Sequence, residues 1–323
     1  MITIGYQASH EQFSPSALLD YVKLAQDCGF GLINSSDHFF PWSTRQGQSG
    51  FTFAWLGAAM QLTSLPFTSV CAPGQRYHPA IVAQAIATLA EMFPGRYNIA
   101  LGSGEALNEC ITGELWPQKE IRNQRLLECA TVMRKLLSGE YVNYKGLVEV
   151  AGAKLYTLPS KAPLLLGAAL SVPTAEWMGS WADGLITTAS SRDQAKDIIA
   201  AFRNTAGANK PVYLKVQLAY AESDEAAMDA AFDQWRNNIF QGSVLGELRT
   251  VEQFDALGEL VQKKDLQANL RISSSLAQHT EWLLEDMNLD INYLILHQVG
   301  RNQTQFLEDF GNKVLQVLKS QQK

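Results

Sequence analysis

Residues 30–42 read Phe30-Gly31-Leu32-Ile33-Asn34-Ser35-Ser36-Asp37-His38-Phe39-Phe40-Pro41-Trp42. The run starts with a mostly apolar segment that predicts a strand, and Pro41 stops regular structure. An acid, an imidazole and an indole therefore stand together where a strand ends. In α/β barrels, catalytic groups lie at the C-terminal ends of the strands. The alternative interpretation is that Asp37 caps the loop and His38 packs in a core.

A helix before this strand completes a βαβ unit. Residues 2–7 alternate between apolar and polar side chains and predict a first strand. Ser14-Pro15 combines an N-cap residue with proline at the first helical position, and Gly29 suits the turn after the helix. The first 37 residues therefore predict strand, helix, strand.

The same alternation continues through the chain. Predicted strands cover residues 2–7, 30–36, 66–73, 97–104, 163–170, 185–188, 212–220 and 292–297, with helices between them. Residues 141–158 suggest an inserted hairpin, and 270–273 a further short strand. Residues 224–264 are mostly helical and longer than a crossover needs, which predicts a helical lid or packing element.

This pattern predicts an α/β fold, a (β/α)8 TIM barrel forming one domain over residues 1–323. It carries a small hairpin before strand five and extra helices in its C-terminal third. An open nucleotide-binding sheet would instead need GxGxxG after its first strand, and no second glycine follows Gly5 closely.

Composition limits the classes of binding partner and the cellular compartment that we expect. The chain is 46% hydrophobic and 18% charged, with a formal net charge of -6, which argues against nucleic acid or an anionic membrane as partner. The four cysteines have neither CxxC nor zinc-finger spacing and suit reduced thiols. No segment has the pattern of a signal peptide or a membrane span. We therefore expect a cytoplasmic protein that acts on a small molecule.

Polar and small residues follow several predicted strands, and a barrel would place them all at one mouth. They are His10, Glu11, Asp37, His38, Trp42, Ser69, Val70, Cys71, Arg76, His78, Glu105, Asn108, Gly167, Ala168, Ala169 and Thr188. His38 and Glu105 could perform acid/base chemistry on one substrate. The three histidines with Asp37 could instead bind a metal, although no strand offers His-x-His. Small residues at 102–104 and 167–169 would let a flat ring and a phosphate approach the backbone.

Several blocks in order resemble the luciferase-like monooxygenase superfamily, and within it the F420-dependent glucose-6-phosphate dehydrogenase group. The blocks cover residues 5–13, 36–42, 68–70, 76–80, 102–109 and 182–184. They include Ser36-Asp37-His38-Phe39-Phe40-Pro41-Trp42 and Gly102-Ser103-Gly104-Glu105-Ala106-Leu107-Asn108-Glu109. The resemblance implies a barrel that holds a flavin-type ring in its mouth, and a homodimer.

The resemblance also implies roles for individual residues. His38 would be the catalytic base, Glu105 the group that supplies a proton, and Trp42 a wall of the substrate pocket. Ser69-Val70 would form a non-prolyl cis peptide beneath the ring. The implied cofactor-binding residues are Asp37, Ser69, Val70, Cys71, Gly104, Asn108, Gly167, Ala168 and Ala169.

Two departures from the group bear on cofactor and substrate. The sugar-phosphate enzymes clamp the substrate phosphate with a lysine after strand six, where this chain has Ser191. The sequence has no cluster of basic residues that could bind the polyglutamate tail of F420. This favours FMN over F420 as the cofactor. The sequence therefore predicts an oxidoreductase that moves hydride between a small organic substrate and FMN or F420. The alternatives are a non-catalytic flavin-binding protein of the same fold and a metal-dependent barrel hydrolase.

Overall fold

Eight parallel strands close into a barrel in the computed structural model, which describes residues 1–188 and 190–322. The strands are β1 Thr3–Ala8, β2 Leu32–Ser36, β3 Phe67–Cys71, β4 Tyr97–Leu101, β5 Val142–Lys145, β6 Glu149–Ala153, β7 Leu165–Ala168, β8 Leu185–Thr188, β9 Val212–Ala219, β10 Arg271–Ile272 and β11 Tyr293–Gln298. The ring runs β1-β2-β3-β4-β7-β8-β9-β11, and β11 pairs with β1 to close it. The predicted TIM barrel is confirmed.

Helices surround the barrel and extend its C-terminal third. They are α1 Pro15–Asp27, α2 Thr52–Leu62, α3 Pro79–Met92, α4 Ala106–Glu109, α5 Lys119–Leu137, α6 Val172–Gly179, α7 Arg192–Ala206, α8 Asp224–Trp235, α9 Gly242–Leu245, α10 Val251–Gly258, α11 Lys263–Leu266, α12 Leu276–Asp286, α13 Gln303–Asp309 and α14 Leu315–Ser320. A π-helical turn, Phe310–Val314, joins the last two.

The predicted helix cap and turn of the first βαβ unit are confirmed. The Ser14 hydroxyl accepts a hydrogen bond from the Ala17 amide at 3.3 Å, which caps α1. Gly29 has a φ of 88°, a conformation that costs a glycine little and lets the chain turn into β2. The predicted strand over residues 97–104 extends too far, since β4 ends at Leu101 before the turn that carries Gly104.

Two elements lie outside the ring, as predicted. β5 and β6 form an antiparallel hairpin before β7, and β10 adds to the edge of β9. The helical segment α8–α11 packs on the loops at the C-terminal end of the barrel. There the Gly246 carbonyl accepts from the Ala106 amide at 3.0 Å, and the Asp255 carboxylate accepts from the Thr44 hydroxyl at 2.7 Å.

Side chains alternate along the barrel strands and so contribute to two separate hydrophobic cores. A large cluster lies between the barrel and its helices, and a smaller one fills the barrel interior. The buried interior residues are Leu32, Ala100, Leu166, Ile186, Tyr213 and Ile295, with Val70, Leu164, Ala168 and Tyr293 packed against them. Tyr213 and Tyr293 stack at 4.0 Å between ring centroids, with 3° between their planes. This alternation decides which predicted site residues can reach the mouth.

None of the helices in the described residues combines the length and apolarity needed to cross a membrane.

Candidate active site

A histidine lies between two carboxylates at the mouth of the barrel. Nδ1 of His38 is 2.5 Å from Oε1 of Glu11, which follows β1. Nε2 of His38 is 4.0 Å from Oε2 of Glu105, which precedes α4. Glu11 also accepts hydrogen bonds from the hydroxyls of Ser9 and Ser36, at 2.8 and 2.7 Å. The buried Glu11 therefore orients the imidazole, and Nε2 faces Glu105 across a gap wider than a hydrogen bond.

The surroundings move the pKa values of these three groups apart. Burial opposes the charge on Glu11, but the hydrogen bonds from His38 and Ser36 and the charge of His38 together outweigh burial and hold the pKa of Glu11 well below its usual range. Burial also opposes the charge on His38, but the hydrogen bond and charge of Glu11, together with the charge of Glu105, raise the pKa of His38 above 6.5. Burial raises the pKa of Glu105, against the pull of His38 and Lys215. His38 is thus a stronger base than a free histidine, and Glu105 a weaker acid.

Trp42 forms a wall beside His38. The two rings meet edge to face, with 4.8 Å between centroids. Trp42 also packs on Phe254 of α10, at 5.3 Å between centroids. The helical segment α8–α11 therefore supports the aromatic wall.

Strand β3 presents only one of its three predicted residues to the mouth. Val70 packs against the interior cluster. Ser69 points to the other side, where its hydroxyl lies 2.5 Å from that of Tyr97, and Cys71 is buried in the outer core. Because strand side chains alternate, Ser69 and Cys71 can offer only backbone atoms to a cofactor.

The cis peptide implied for Ser69-Val70 is wrong. Every peptide bond among residues 1–188 and 190–322 is trans. Both residues pair in register with β2 and β4, and the Val70 carbonyl accepts from the Asp37 amide at 3.0 Å. An extended trans backbone satisfies this ladder without the roughly 3–4 kcal/mol that a non-prolyl cis bond costs.

Small residues occur after β4 and β7 for different structural reasons. A side chain on Gly167 would meet Met178 of α6, with its Cβ 2.2 Å from the sulfur, so this glycine permits helix packing. Ala169 lies in the outer core, whereas Ala168 faces the barrel interior. A Cβ on Gly102 would lie 3.7 Å from that of Ala168. Gly102 and Ala168 together leave a shallow floor that a flat ring could use.

The backbone conformation at position 104 requires a glycine. Its φ is 80°, and a Cβ there would lie 2.8 Å from Cγ of Glu109. The turn it makes aims Glu105 at the mouth.

Asp37 is fully engaged by its neighbours rather than open to a ligand. Arg76 donates to its carbonyl at 2.7 Å and to Oδ2 at 3.0 Å, and the Tyr77 hydroxyl donates to Oδ1 at 3.3 Å. Arg76 also meets Glu109, with Nε 3.4 Å from Oε1. The Asp37 side chain is 1% exposed, so direct contact with a cofactor would require Arg76 or Tyr77 to release it.

Asn108 anchors the loop that carries His38. Its side-chain oxygen accepts from the amides of Phe39 and Phe40, at 2.8 and 3.1 Å. Its buried Nδ2 has no hydrogen-bond partner among the residues that the structure describes. A buried donor of this kind normally has a partner, and Asn108 lies close enough to Glu105 to lower the pKa of that carboxyl, so either Glu105 or a ligand can take this hydrogen bond.

Two of the three histidines considered for a metal site make other contacts. His78 caps α3, where its Nδ1 accepts from the Ala80 amide at 3.2 Å. His10 packs edge-on against Trp55, at 4.7 Å between centroids. In the described part of the chain, no group of three histidine, cysteine, aspartate or glutamate side chains has an arrangement that could hold a metal ion.

The sequence does not single out Glu11 or Lys215 as site residues. It places Glu11 after a strand but does not reveal its pairing with His38. Lys215 is a single cation within the apolar strand β9, and that pattern could have pointed to it.

A comparison with known protein families identifies the family of this chain. The model of the luciferase-like monooxygenase family matches residues 1–289. This chain belongs to that family. It is an oxidoreductase, as the sequence predicted.

Relatives of the family match over nearly the whole chain. The F420-dependent glucose-6-phosphate dehydrogenase of Microbacterium testaceum is 31% identical, over 98% of both chains. An F420-dependent secondary alcohol dehydrogenase, solved with an F420-acetone adduct, is 28% identical with a TM-score of 0.91, covering 98% of this chain and 99% of its own. The F420-dependent tetrahydromethanopterin reductase of Methanopyrus kandleri is 18% identical with a TM-score of 0.78, covering 98% and 99%, and supports the fold alone.

Proposed function

We propose that this protein is an F420-dependent dehydrogenase of small secondary alcohols, or a reductase of the corresponding ketones. The observation that carries the proposal is the arrangement of Glu11, His38 and Glu105 at the barrel mouth. Such an oriented base beside a second carboxyl group suits a reaction in which a hydroxyl proton and a hydride leave together. The names of the similar dehydrogenases supply the cofactor class. They lend no support to the preference for FMN that the sequence suggested.

The residues at the mouth fit a flat, hydrogen-bonding ring. Gly102 and Ala168 leave a floor without bulky side chains, and Val70 lies beside them in the interior. The buried Nδ2 of Asn108 and Oε2 of Glu105 have no partners among the described residues, so each could bond to a ring or its side chain. F420, when bound, would accept or donate a hydride at its deazaflavin ring.

His38 would take the hydroxyl proton at Nε2. Glu11 holds Nδ1 at 2.5 Å, so Nε2 is the nitrogen left for the substrate. Glu11 would also stabilise the positive charge that the imidazole gains, as the orienting acid of a catalytic triad does. Glu105, whose pKa burial raises, could hold a proton at the other side of the site. In the ketone direction the same groups would return the proton.

The substrate pocket favours a small uncharged alcohol over a sugar phosphate. Ser191 stands where the sugar-phosphate enzymes carry their clamping lysine, and its hydroxyl caps α7 by accepting from the Gln194 amide at 3.2 Å. Its neighbour Arg192 pairs with Glu285 and Asp286. This position therefore offers no uncompensated positive charge to a phosphate. Trp42 gives the pocket an apolar wall.

Two titrations and one rate comparison test the proposal. Purified protein would be titrated with F420 and, separately, with FMN, followed by cofactor absorbance and protein fluorescence. Reduction of bound F420 would then be followed with 2-propanol and with glucose 6-phosphate. We expect micromolar binding of F420 and faster reduction by the alcohol. Binding of FMN alone would overturn the cofactor assignment, and faster reduction by glucose 6-phosphate would overturn the substrate class.

The substitution Asn108→Asp tests whether Nδ2 of Asn108 contacts the cofactor. The variant keeps the oxygen that accepts from the Phe39 and Phe40 amides but replaces the donor Nδ2. Because the variant also places a negative charge in a buried position beside Glu105, we expect lower thermal stability, and we expect F420 affinity to fall by roughly tenfold or more. Unchanged affinity would remove Nδ2 from the cofactor site.

A further inference from the structure

Arg76, in the loop between β3 and α3, connects the two segments that carry His38 and Glu105. Its Nη2 donates to the Asp37 carbonyl at 2.7 Å and to Oδ2 of Asp37 at 3.0 Å. Its Nε lies 3.4 Å from Oε1 of Glu109, and its backbone amide donates to Oε2 of Glu109 at 3.0 Å. Asp37 directly precedes His38. Glu105 stands at the N-terminus of α4, and Glu109 ends that helix.

The bridge that Arg76 makes is shielded from solvent. The side chains of Arg76, Asp37 and Glu109 are each at most 6% exposed. The Tyr77 ring covers the guanidinium group, whose central carbon lies 4.4 Å from the ring centroid. Burial opposes the charge of Arg76, but Asp37 and Glu109 outweigh burial and raise the pKa of the guanidinium. A charged fork that is held from two elements in a dry environment has little freedom to move.

A second connection runs beside this bridge. Asn108 of α4 accepts hydrogen bonds from the amides of the two residues after His38, at 2.8 and 3.1 Å. The backbone of His38 is therefore attached to α4 on both sides, through Arg76 before it and through Asn108 after it. These attachments fix the segment that carries His38 relative to the helix that begins after Glu105, and Nε2 of His38 lies 4.0 Å from Oε2 of Glu105.

We propose that Arg76 is a positioning residue, whose bridge between the loop after β2 and α4 sets the separation of His38 and Glu105. Arg76 makes neither a hydrogen bond nor an ion pair with these two side chains in the described part of the chain, so it acts through the backbone that carries them. A displacement of about 1 Å between reacting groups can cost roughly a hundredfold in rate. The inference rests on the proposed function for its catalytic meaning, because His38 and Glu105 are base and acid only in that reaction.

The variant Arg76→Lys separates the geometry of the bridge from its charge. A lysine keeps the positive charge that acts on His38, but its single nitrogen cannot reach Asp37 and Glu109 together. With 2-propanol as substrate we expect kcat to fall by roughly tenfold or more, since the base and the acid lose their alignment. The dissociation constant for F420 should stay within about threefold of the wild type, because Arg76 touches the backbone rather than the cofactor.

Arg96→Lys is the matched control. Arg96 also bridges two backbone carbonyls, those of Leu65 and Thr63, at 3.0 and 2.6 Å. It directly precedes β4, so it lies at the end of the barrel opposite the mouth. The same substitution there breaks a comparable bridge and should leave kcat within about twofold of the wild type.

Amide hydrogen exchange without any cofactor tests the bridge itself. The amides of Asp37, Phe39 and Phe40 are hydrogen-bonded at 3.0, 2.8 and 3.1 Å, so their exchange reports on the segment around His38. In Arg76→Lys we expect these three amides to exchange roughly tenfold faster, while the amides of β7 keep their wild-type rates. Arg96→Lys should leave all of these rates unchanged. Faster exchange throughout Arg76→Lys would indicate general destabilisation and would overturn the positioning role.

Two kinetic results would also overturn the proposal. One is a normal kcat in Arg76→Lys despite faster exchange around His38, since the bridge would then not set the catalytic geometry. The other is a large change in F420 affinity with an unchanged kcat, which would make Arg76 a competitor of the cofactor for Asp37. If Arg76→Lys does not fold, Glu109→Gln decides, because it removes the charge that faces Nε but keeps an oxygen for the Arg76 amide. Its kcat should fall by roughly threefold or more at unchanged F420 affinity, and an unchanged kcat would contradict the role.

The two proposals fail in different ways. If the wild type does not bind F420, the proposed function fails, and amide exchange still shows whether Arg76 holds the segment around His38. If F420 binds and 2-propanol reduces it while both Arg76→Lys and Glu109→Gln turn over normally, only the positioning role fails.

Discussion

Glu11 and His38 lie 27 residues apart in the chain, yet their side chains meet at 2.5 Å. Glu11 follows β1 and His38 follows β2, and these neighbouring parallel strands end at the same edge of the barrel. The hydrogen bonds from Ser9 and Ser36 hold the carboxylate in place. This contact determines which imidazole nitrogen is free.

Replacing His38 tests its role as the base. His38→Ala should leave F420 binding within a few-fold of the wild type while kcat falls at least a hundredfold, the usual worth of general base catalysis. His78→Ala is the matched control, because His78 lies at the surface, where it caps α3 and where its Nε2 lies 2.8 Å from the Glu149 carbonyl of the hairpin. The control should lose about 1 kcal/mol of stability and keep its kcat. Normal turnover in His38→Ala would remove this residue from the mechanism.

Glu11→Gln should weaken His38 as a base. Loss of the carboxylate lowers the pKa of His38, so the limb of kcat/KM that rises with pH should move to lower pH. Its plateau should fall tenfold or more, since a weaker base removes the proton less readily. An NMR titration of the His38 ring measures the pKa directly. If the His38 midpoint stays in place, the pairing seen here does not control its basicity.

The same pair makes a pH-dependent contribution to stability. Because the folded state raises the pKa of His38, its contribution is complete below about 6.5 and is lost as pH rises through the raised value. Glu11→Gln should therefore be most destabilised, relative to wild type, near pH 6, and the difference should shrink at alkaline pH. Urea denaturation at several pH values measures this. A difference that grows with pH would contradict the assignment.

Three other histidines should destabilise the fold in acid. Burial lowers the pKa of His10 and His279 to about 4 and that of His297 to about 3. Each stays neutral in the folded protein while the unfolded chain binds a proton below about 6.5, so stability falls as pH drops through that window. Each can remove up to about 1.4 kcal/mol per pH unit. His279→Gln should flatten the acid side of the stability profile, and an unchanged slope would show that His279 does not contribute.

Gly167 and Gly57 form a matched pair. Gly167→Ala would force a Cβ into Met178 and should cost about 1–3 kcal/mol, the usual penalty of overpacking. Gly57 lies within α2 with nothing within 4 Å of its would-be Cβ, so Gly57→Ala should stabilise by about 0.5–1 kcal/mol. Thermal unfolding compares them. A stabilised Gly167→Ala would show that α6 can move away from β7 at little cost.

Much of the architecture was readable from local patterns. One alternating run and several mostly apolar runs predicted the barrel strands, and Ser14 and Gly29 predicted the cap of the first helix and the turn after it. These signals are local, because capping and turn geometry depend on neighbouring residues. Parallel strands also share one direction, so their C-terminal residues had to meet at one mouth.

Side-chain direction and pairing could be decided only by the folded chain. Whether Ser69 or Val70 faces the mouth depends on the register of β3, and a shift of one residue would exchange them. The partners of Asp37 and Glu11 come from other strands and loops, so these ion pairs are properties of the assembled barrel. Local sequence places a charged group at a strand end, but its electrostatic neighbours exist only once the ring has closed.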